Sequence, residues 1–172
     1  MQRVVVIGPC GSGKSTLSRE LAVQLDLPLF HMDQLNWNPG WVESDKADLA
    51  RRVEQVAAGD RWLIDGNYGG TLELRLARAD TAIYLDFPVV LCLWRVLRRV
   101  WTHRGRSRPD MPDGCPERFD ASFMLYLFNW NLGPRLRTEE KLAGFRGRLV
   151  RLSGPAELAK WRDGLAFAAQ RG

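Results

Sequence analysis

The chain has no long hydrophobic run, and its cysteines, histidines and lysines are few. The longest apolar stretch after the first strand, Val89 to Trp94, is far too short to span a bilayer. The N-terminal run from Val4 to Ile7 is too short for a secretory signal and breaks at once into a glycine-rich loop. A cytoplasmic location and no membrane partner are the expectation. The three cysteines, Cys10, Cys92 and Cys115, are odd in number and widely spaced, which suits neither a disulfide framework nor a zinc site. Reduced thiols are expected. His31 and His103 are the only histidines, and neither has a ligand partner at metal-binding spacing. Lysine occurs only at positions 14, 46, 141 and 160, so arginine carries nearly all of the net charge of +5. Arginine is the side chain for bidentate phosphate contacts, whether of a nucleotide or of a nucleic-acid backbone.

The 172 residues, 45% hydrophobic and 26% charged, describe one ordinary globular domain. Strand and helix patterns alternate along it. Strands are expected at Arg3 to Ile7, Pro28 to Met32, Arg61 to Asp65, Thr81 to Phe87 and Arg148 to Leu152. Helices are expected at Lys14 to Leu25, from an N-cap at Ser44 to about Ala58, and at Thr71 to Ala79. Others follow at Pro88 to about His103, Glu117 to Leu132, near Thr138 to Phe145, and Pro155 to Ala169. The NWNPGW segment, Asn36 to Trp41, and the stretch from Arg104 to Pro116 read as loops. This alternation predicts an α/β fold, a parallel sheet covered on both faces, with ligands outside the carboxyl ends of the strands.

The chemistry gathers at those ends. GPCGSGKS matches the P-loop pattern at Gly8, Gly13, Lys14 and Ser15. Pro9, Cys10, Gly11 and Ser12 fill the loop, and Thr16 follows it into the helix. Such a loop turns successive N–H groups, and the positive end of the next helix, toward an anion. ATP with Mg²⁺ is the expected ligand: Lys14 reaching the β- and γ-phosphates, and the Ser15 hydroxyl on the metal.

Three carboxylates end strands. Asp65, closing WLID before Gly66, Asn67 and Tyr68, is a candidate to hold Mg²⁺ or orient the nucleophile. Asp33 is a candidate to bind a substrate hydroxyl, and Asp86 is either a rival metal carboxylate or a cap for the next helix. Trp37 and Trp41 flank a Pro-Gly turn, placed either to stack on a planar substrate or to pack locally. Arg104, Arg106 and Arg108 lie in THRGRSRPD, and a mobile arginine loop after the fourth strand suits a lid that closes over phosphates, an insert at about 104–117. The rival is a basic patch for nucleic acid, but Asp110, Asp113, Glu117 and Asp120 interrupt the stripe.

The set GPCGSGKS, HMDQLNW, WLIDGNY, AIYLDFP and THRGRSRPD…CPERFD resembles the P-loop small-molecule kinases related to adenylate kinase. It is most similar to the branch labelled FlaR-like or "DNA topology modulation" proteins, and the resemblance spans nearly the whole chain. The resemblance implies a three-layer α/β/α fold with a five-stranded parallel sheet in the order 2-3-1-4-5. It places Asp65 where adenylate kinases have the Asp of DGFPR. Here the segment is DGNYG, without the Pro and the Arg that grips a monophosphate, so AMP is not carried over as acceptor. Arg75 is a candidate to replace that arginine. The resemblance also puts Asp33 where shikimate and gluconate kinases bind a substrate hydroxyl. Arg104, Arg106 and Arg108 fall at the lid arginines, and the Ser153–Pro155 turn at the adenine-contacting loop. The expectation is an ATP·Mg²⁺-dependent phosphotransferase acting on a nucleotide or polar metabolite held by Asp33, Trp37, Asn67, Tyr68 and Arg75. A nucleic-acid-associated ATPase and a nucleotide-binding regulator are the alternatives.

Overall fold

The computed structural model describes residues 1–103, 105 and 109–169. The first strand, β1 (Arg3–Ile7), has its last four residues wholly buried. A β-branched run with both faces covered is the mark of a central parallel strand. β1 pairs in parallel with β5 (Trp62–Asp65) on one side and β6 (Thr81–Leu85) on the other. β2 (Leu29–His31) and β7 (Arg148–Leu152) form the edges, giving the order β2-β5-β1-β6-β7. Counting only these five strands along the chain, that is 2-3-1-4-5.

Alternation along β1 divides the core into two layers. Val4 and Val6 face Leu17 and Leu21 of α1 (Lys14–Leu25) and Cys92 and Val96 of α5 (Val89–Thr102). Leu127 of α6 (Ala121–Phe128) and Trp161 of α8 (Pro155–Ala169) pack on the same side. Val5 and Ile7 face Met32 of α2 (Met32–Asn36), Val53 of α3 (Lys46–Ala57), Leu72 of α4 (Gly69–Arg78) and Leu142 of α7 (Pro134–Ala143). The result is the expected three-layer α/β/α arrangement. Among the described residues, no helix is long and apolar enough to cross a membrane.

Several local expectations are corrected. The second strand stops at His31, one residue short of the expected Met32, which instead opens α2, so Asp33 sits on a helical turn. NWNPGW is a small hairpin: β3 (Trp37–Asn38) pairs antiparallel with β4 (Val42–Glu43) around the Pro39-Gly40 turn. Asp45, not Ser44, caps α3, because its carboxylate accepts the Ala47 N–H at 2.8 Å. The helix expected over Glu117 to Leu132 begins only at Ala121. There the Asp120 carboxylate accepts the Ser122 and Phe123 N–H groups, and a short 3₁₀ turn, Trp130–Leu132, ends the segment. Asp86 caps nothing. Its two oxygens accept from Arg135 on α7 at 2.9 and 2.8 Å, and Pro88 precedes α5 with no side-chain cap.

Candidate active site

The P-loop joins β1 to α1 at the centre of the sheet. At Gly8 a Cβ would meet the Leu85 carbonyl oxygen at 2.4 Å, and at Gly11 it would meet the Cys92 carbonyl oxygen at the same distance. Gly8 also has φ 146 and Gly11 φ 83, where L side chains are strained. The loop therefore lies tight on β6 and α5. Helix α1 starts from Gly13 with no side-chain cap. Its first N–H groups thus lack the partner that a capping Ser or Asp supplies at an ordinary helix start, and an anion can take that place.

Three side chains set this loop. Asn67 grips Gly8 at both ends: its Oδ1 accepts the Gly8 N–H at 2.9 Å, and its Nδ2 donates to the Gly8 carbonyl at 2.6 Å. The Lys14 ammonium bends back and donates to the Gly8 and Pro9 carbonyls at 2.9 and 3.0 Å. The Ser15 hydroxyl donates to Asp110 Oδ2 at 3.0 Å. Ser12 is fully buried under the loop, and Thr16 is exposed on the first turn of α1.

Asp65 lies beside the loop because β5 pairs with β1, Val6 standing opposite it. The register of β2 on β5 sets His31 beside Asp65, and His31 Nδ1 lies 2.8 Å from Asp65 Oδ1. Burial alone would lower the His31 pKa. The bond and charge of Asp65 and the charge of Asp110 outweigh it, so the value is raised. Asp65 Oδ2 is buried with no hydrogen-bond partner among the described residues. The Ser15 hydroxyl and carboxylate oxygens of this kind are hard donors that fit Mg²⁺.

The loop from Gly66 to Tyr68 leads from Asp65 into α4. Arg75 is fully buried beneath it and donates to the carbonyls of Gly66 at 2.7 Å, Asn67, Tyr68 at 3.2 Å and Thr71 at 3.3 Å. Burial lowers its pKa to about 9, against the pull of Asp65 and Tyr68. Its guanidinium is thus turned onto the backbone and is not among the groups that line the cavity. Tyr68 takes a left-handed conformation, φ 34, a strained backbone for a bulky residue. Its hydroxyl donates to Asp33 Oδ1 at 2.8 Å. Burial, and then the charge of Asp33, raise the Tyr68 pKa, so the phenol stays protonated as a donor.

A cavity of about 420 Å³ opens above these groups, with Lys14, Asp33, Asn67 and Tyr68 in its wall. Trp37 and Trp41 form its aromatic side as an edge-to-face pair, centroids 5.3 Å apart. Phe123 and Tyr126 of α6 line it too. A hollow of about 490 Å³ between α4 and α7 contains none of the P-loop residues.

Arg104, Arg106 and Arg108 lie outside the described residues. The residues that follow them, from Pro109 to Glu117, are tied to neighbouring elements. Gln34 donates to the Pro109 carbonyl at 2.9 Å, the Gly40 N–H to Gly114 at 2.9 Å, and the Trp41 indole to Pro116 at 3.2 Å. Arg99 of α5 pairs with Glu117 at 3.0 Å. Two features escape the reading by spacing. The His31–Asp65 pair joins residues 34 apart through strand register, and the Ser15–Asp110 bond joins residues 95 apart.

No protein-family model matches the chain. The shikimate kinase of Baumannia cicadellinicola subsp. Homalodisca coagulata is 29% identical over 132 residues, 68% of this chain and 73% of that protein. Shikimate kinase 1 of Serratia proteamaculans is 26% identical over the same shares of the two chains. A shikimate kinase from Acinetobacter baumannii, solved in complex with shikimate, superposes with a TM-score of 0.61. The two are 15% identical over 99% of this chain and 94% of that one. The chain is a P-loop NTPase related to the shikimate and adenylate kinases. Its sheet order and phosphate loop make a P-loop kinase fold, consistent with ATP phosphotransferase activity.

Proposed function

We propose that the chain transfers the γ-phosphoryl group of ATP·Mg²⁺ to a hydroxyl of a small acceptor, a nucleotide or a polar metabolite. One observation carries this reading. Lys14 of the phosphate loop and Asp33 line a single cavity, so a phosphoryl donor and a hydroxyl acceptor can meet there.

The chain's own groups divide the work. The Gly8–Ser15 backbone and the uncapped start of α1 hold the phosphates. Lys14 exchanges its two carbonyl partners for phosphate oxygens. Asp33, kept in place by the Tyr68 hydroxyl, accepts a hydrogen bond from the acceptor hydroxyl and orients it. Trp37 and Trp41 pack against the acceptor's body. Ser15 and Asp65 hold Mg²⁺, which neutralises charge on the phosphates when bound. Arg104, Arg106 and Arg108 belong to a lid, the 104–117 insert, and stabilise the charge of the transferring group. Asn67 shapes the phosphate loop through the Gly8 backbone it holds, Tyr68 positions the Asp33 carboxylate on the acceptor side, and Arg75 supports both from below. The FlaR-like branch of the adenylate-kinase relatives is the family assignment that these motifs favour.

An ATP-consumption screen against monophosphates and hydroxylated metabolites tests the reading, with Lys14→Ala and Arg106→Ala as controls. The expected outcome is acceptor-dependent ADP formation that both substitutions abolish while the fold survives. Full activity in both variants with the true acceptor would overturn the mechanism. ATP turnover stimulated by nucleic acid and by no small molecule would replace it with an ATPase.

A further inference from the structure

Helix α5 is apolar on the face it turns to water. Val90, Trp94, Leu97 and Trp101 are 79, 55, 47 and 84% exposed. They stand four, three and four residues apart, so at helical pitch they form one stripe along the helix. Its buried residues, Cys92 and Val96, belong to the core layer on the other side. A surface helix ordinarily turns charged and polar residues outward. We infer that this stripe is the pairing face of a two-fold dimer, in which α5 lies antiparallel against α5 of a second copy.

The area suits a dimer. The four side chains leave on the order of 500 Å² of apolar surface in water on one helix. A stable interface buries about 800 Å² per partner, so the stripe supplies more than half of it. Leu125 and Phe128, exposed on α6 beside α5, stand in the same helical layer.

The order of the residues selects a second copy. The stripe is symmetric about its midpoint, between Arg95 and Val96. A two-fold axis through that point sets Trp101 of one copy opposite Val90 of the other, and Trp94 opposite Leu97. Each ring then meets a smaller aliphatic group, whereas parallel pairing would set Trp on Trp. The same symmetry sets Arg98 opposite Leu93 and keeps the two Arg98 side chains from facing each other. Arg98 already lies over the Trp94 ring, 5.6 Å from its centroid, at the margin of the stripe. None of the four stripe residues lines the cavity of the candidate site, so pairing engages a separate face.

Sedimentation velocity on the intact chain from about 1 to 100 µM tests the inference. The expected result is a concentration-dependent species of twice the chain mass. Leu97→Glu and Trp101→Glu should each weaken it by about a hundredfold or more, because every substitution enters a two-fold interface twice. Val23→Glu, an exposed apolar position on α1, should leave it unchanged. Circular dichroism confirms the fold of each variant, and Trp101, the most exposed of the four, keeps the test open if Leu97→Glu unfolds. The register is read by oxidising a mixture of Val90→Cys and Trp101→Cys chains with oxidised glutathione, with wild type as the blank for its own three cysteines. The mixture should cross-link, and neither variant alone should, since like positions lie about 16 Å apart along the helices. A chain that stays monomeric up to about 100 µM overturns the inference. Sedimentation of that monomer with anionic phospholipid vesicles would assign the stripe to a lipid surface instead. A dimer that survives both glutamate substitutions, or cysteine variants that cross-link only with themselves, also overturns it.

Discussion

Asn67→Ala isolates the device that holds the P-loop in shape. In the native chain the Asn67 amide makes two hydrogen bonds to the backbone of Gly8, at 2.9 and 2.6 Å. Alanine removes both. The Gly8 carbonyl keeps a partner, because the Lys14 ammonium also donates to it. The Gly8 N–H does not, and Gly8 is buried. One ordinary bond is worth about 1 kcal/mol and one orphaned buried donor costs about 1–3 kcal/mol, so the loss is about 2–4 kcal/mol in all. In a domain of this size each kcal/mol lowers Tm by about 2–4 °C, which gives a fall of about 4–16 °C. Differential scanning calorimetry reads it directly. Asn67→Asp provides the internal control. It keeps an acceptor for the Gly8 N–H but turns a carboxylate toward the Gly8 carbonyl, so it loses stability without leaving the donor orphaned. The loss of ATP affinity in Asn67→Ala should exceed tenfold although the nucleotide is held by the loop and not by this amide. A Tm within about 1 °C of wild type would refute the reasoning, because the clamp would then contribute nothing.

Three further outcomes follow from the same geometry. Gly11→Ala places a Cβ at 2.4 Å from the Cys92 carbonyl oxygen, at φ 83; it should cost about 1–3 kcal/mol in chemical denaturation and abolish nucleotide binding. Arg75→Met leaves the carbonyls of Gly66, Asn67 and Tyr68 without their shared donor. A loss of about 3 kcal/mol or more in urea unfolding is expected, with the acceptor KM disturbed through the displaced Tyr68. Asp86→Asn tests linkage. The Arg135 bond, and then the charges of Arg135 and Arg151, hold the Asp86 pKa below its ordinary value despite burial. A carboxylate depressed in this way stabilises the fold fully above the ordinary value of about 3.9 and loses that contribution as pH falls through the folded value. The wild-type advantage over Asp86→Asn, about 1 kcal/mol for a part-exposed pair, should therefore be constant near neutrality and vanish in acid. An advantage that grows as pH falls would contradict the assignment.

Much of this architecture is legible in the residues. The VVVI run, the glycine loop and the alternation of strand and helix patterns lead to a parallel α/β sheet with its chemistry at the strand ends. The errors are local and have local causes. Ser44 and Asp45 both suit a cap, and only the backbone decides that the Asp45 carboxylate meets the Ala47 N–H. Asp120 is itself a cap signal, and it starts α6 later than the aromatic periodicity suggests. The Pro-Gly turn in NWNPGW closes a hairpin because Trp37 and Trp41 can pack edge to face across it. The site is less legible than the fold. His31 meets Asp65 through the register of two parallel strands, and Asp110 meets Ser15 across 95 residues. No local spacing encodes either contact. Arg75 shows the converse: the resemblance offers it to a substrate, yet it is buried and bound to backbone carbonyls.

The central claim is that the P-loop and the Asp33 side of the cavity serve one reaction. Phosphorus NMR of ATP with the intact chain and a panel of hydroxylated metabolites and nucleoside monophosphates tests it most directly. The account predicts that, with one acceptor class, the γ-phosphorus signal of ATP is replaced by a phosphoester of the acceptor in step with ADP. Asp33→Asn should suppress that signal by at least a hundredfold without weakening ATP binding. Release of inorganic phosphate alone, whatever the acceptor and regardless of Asp33, would contradict it.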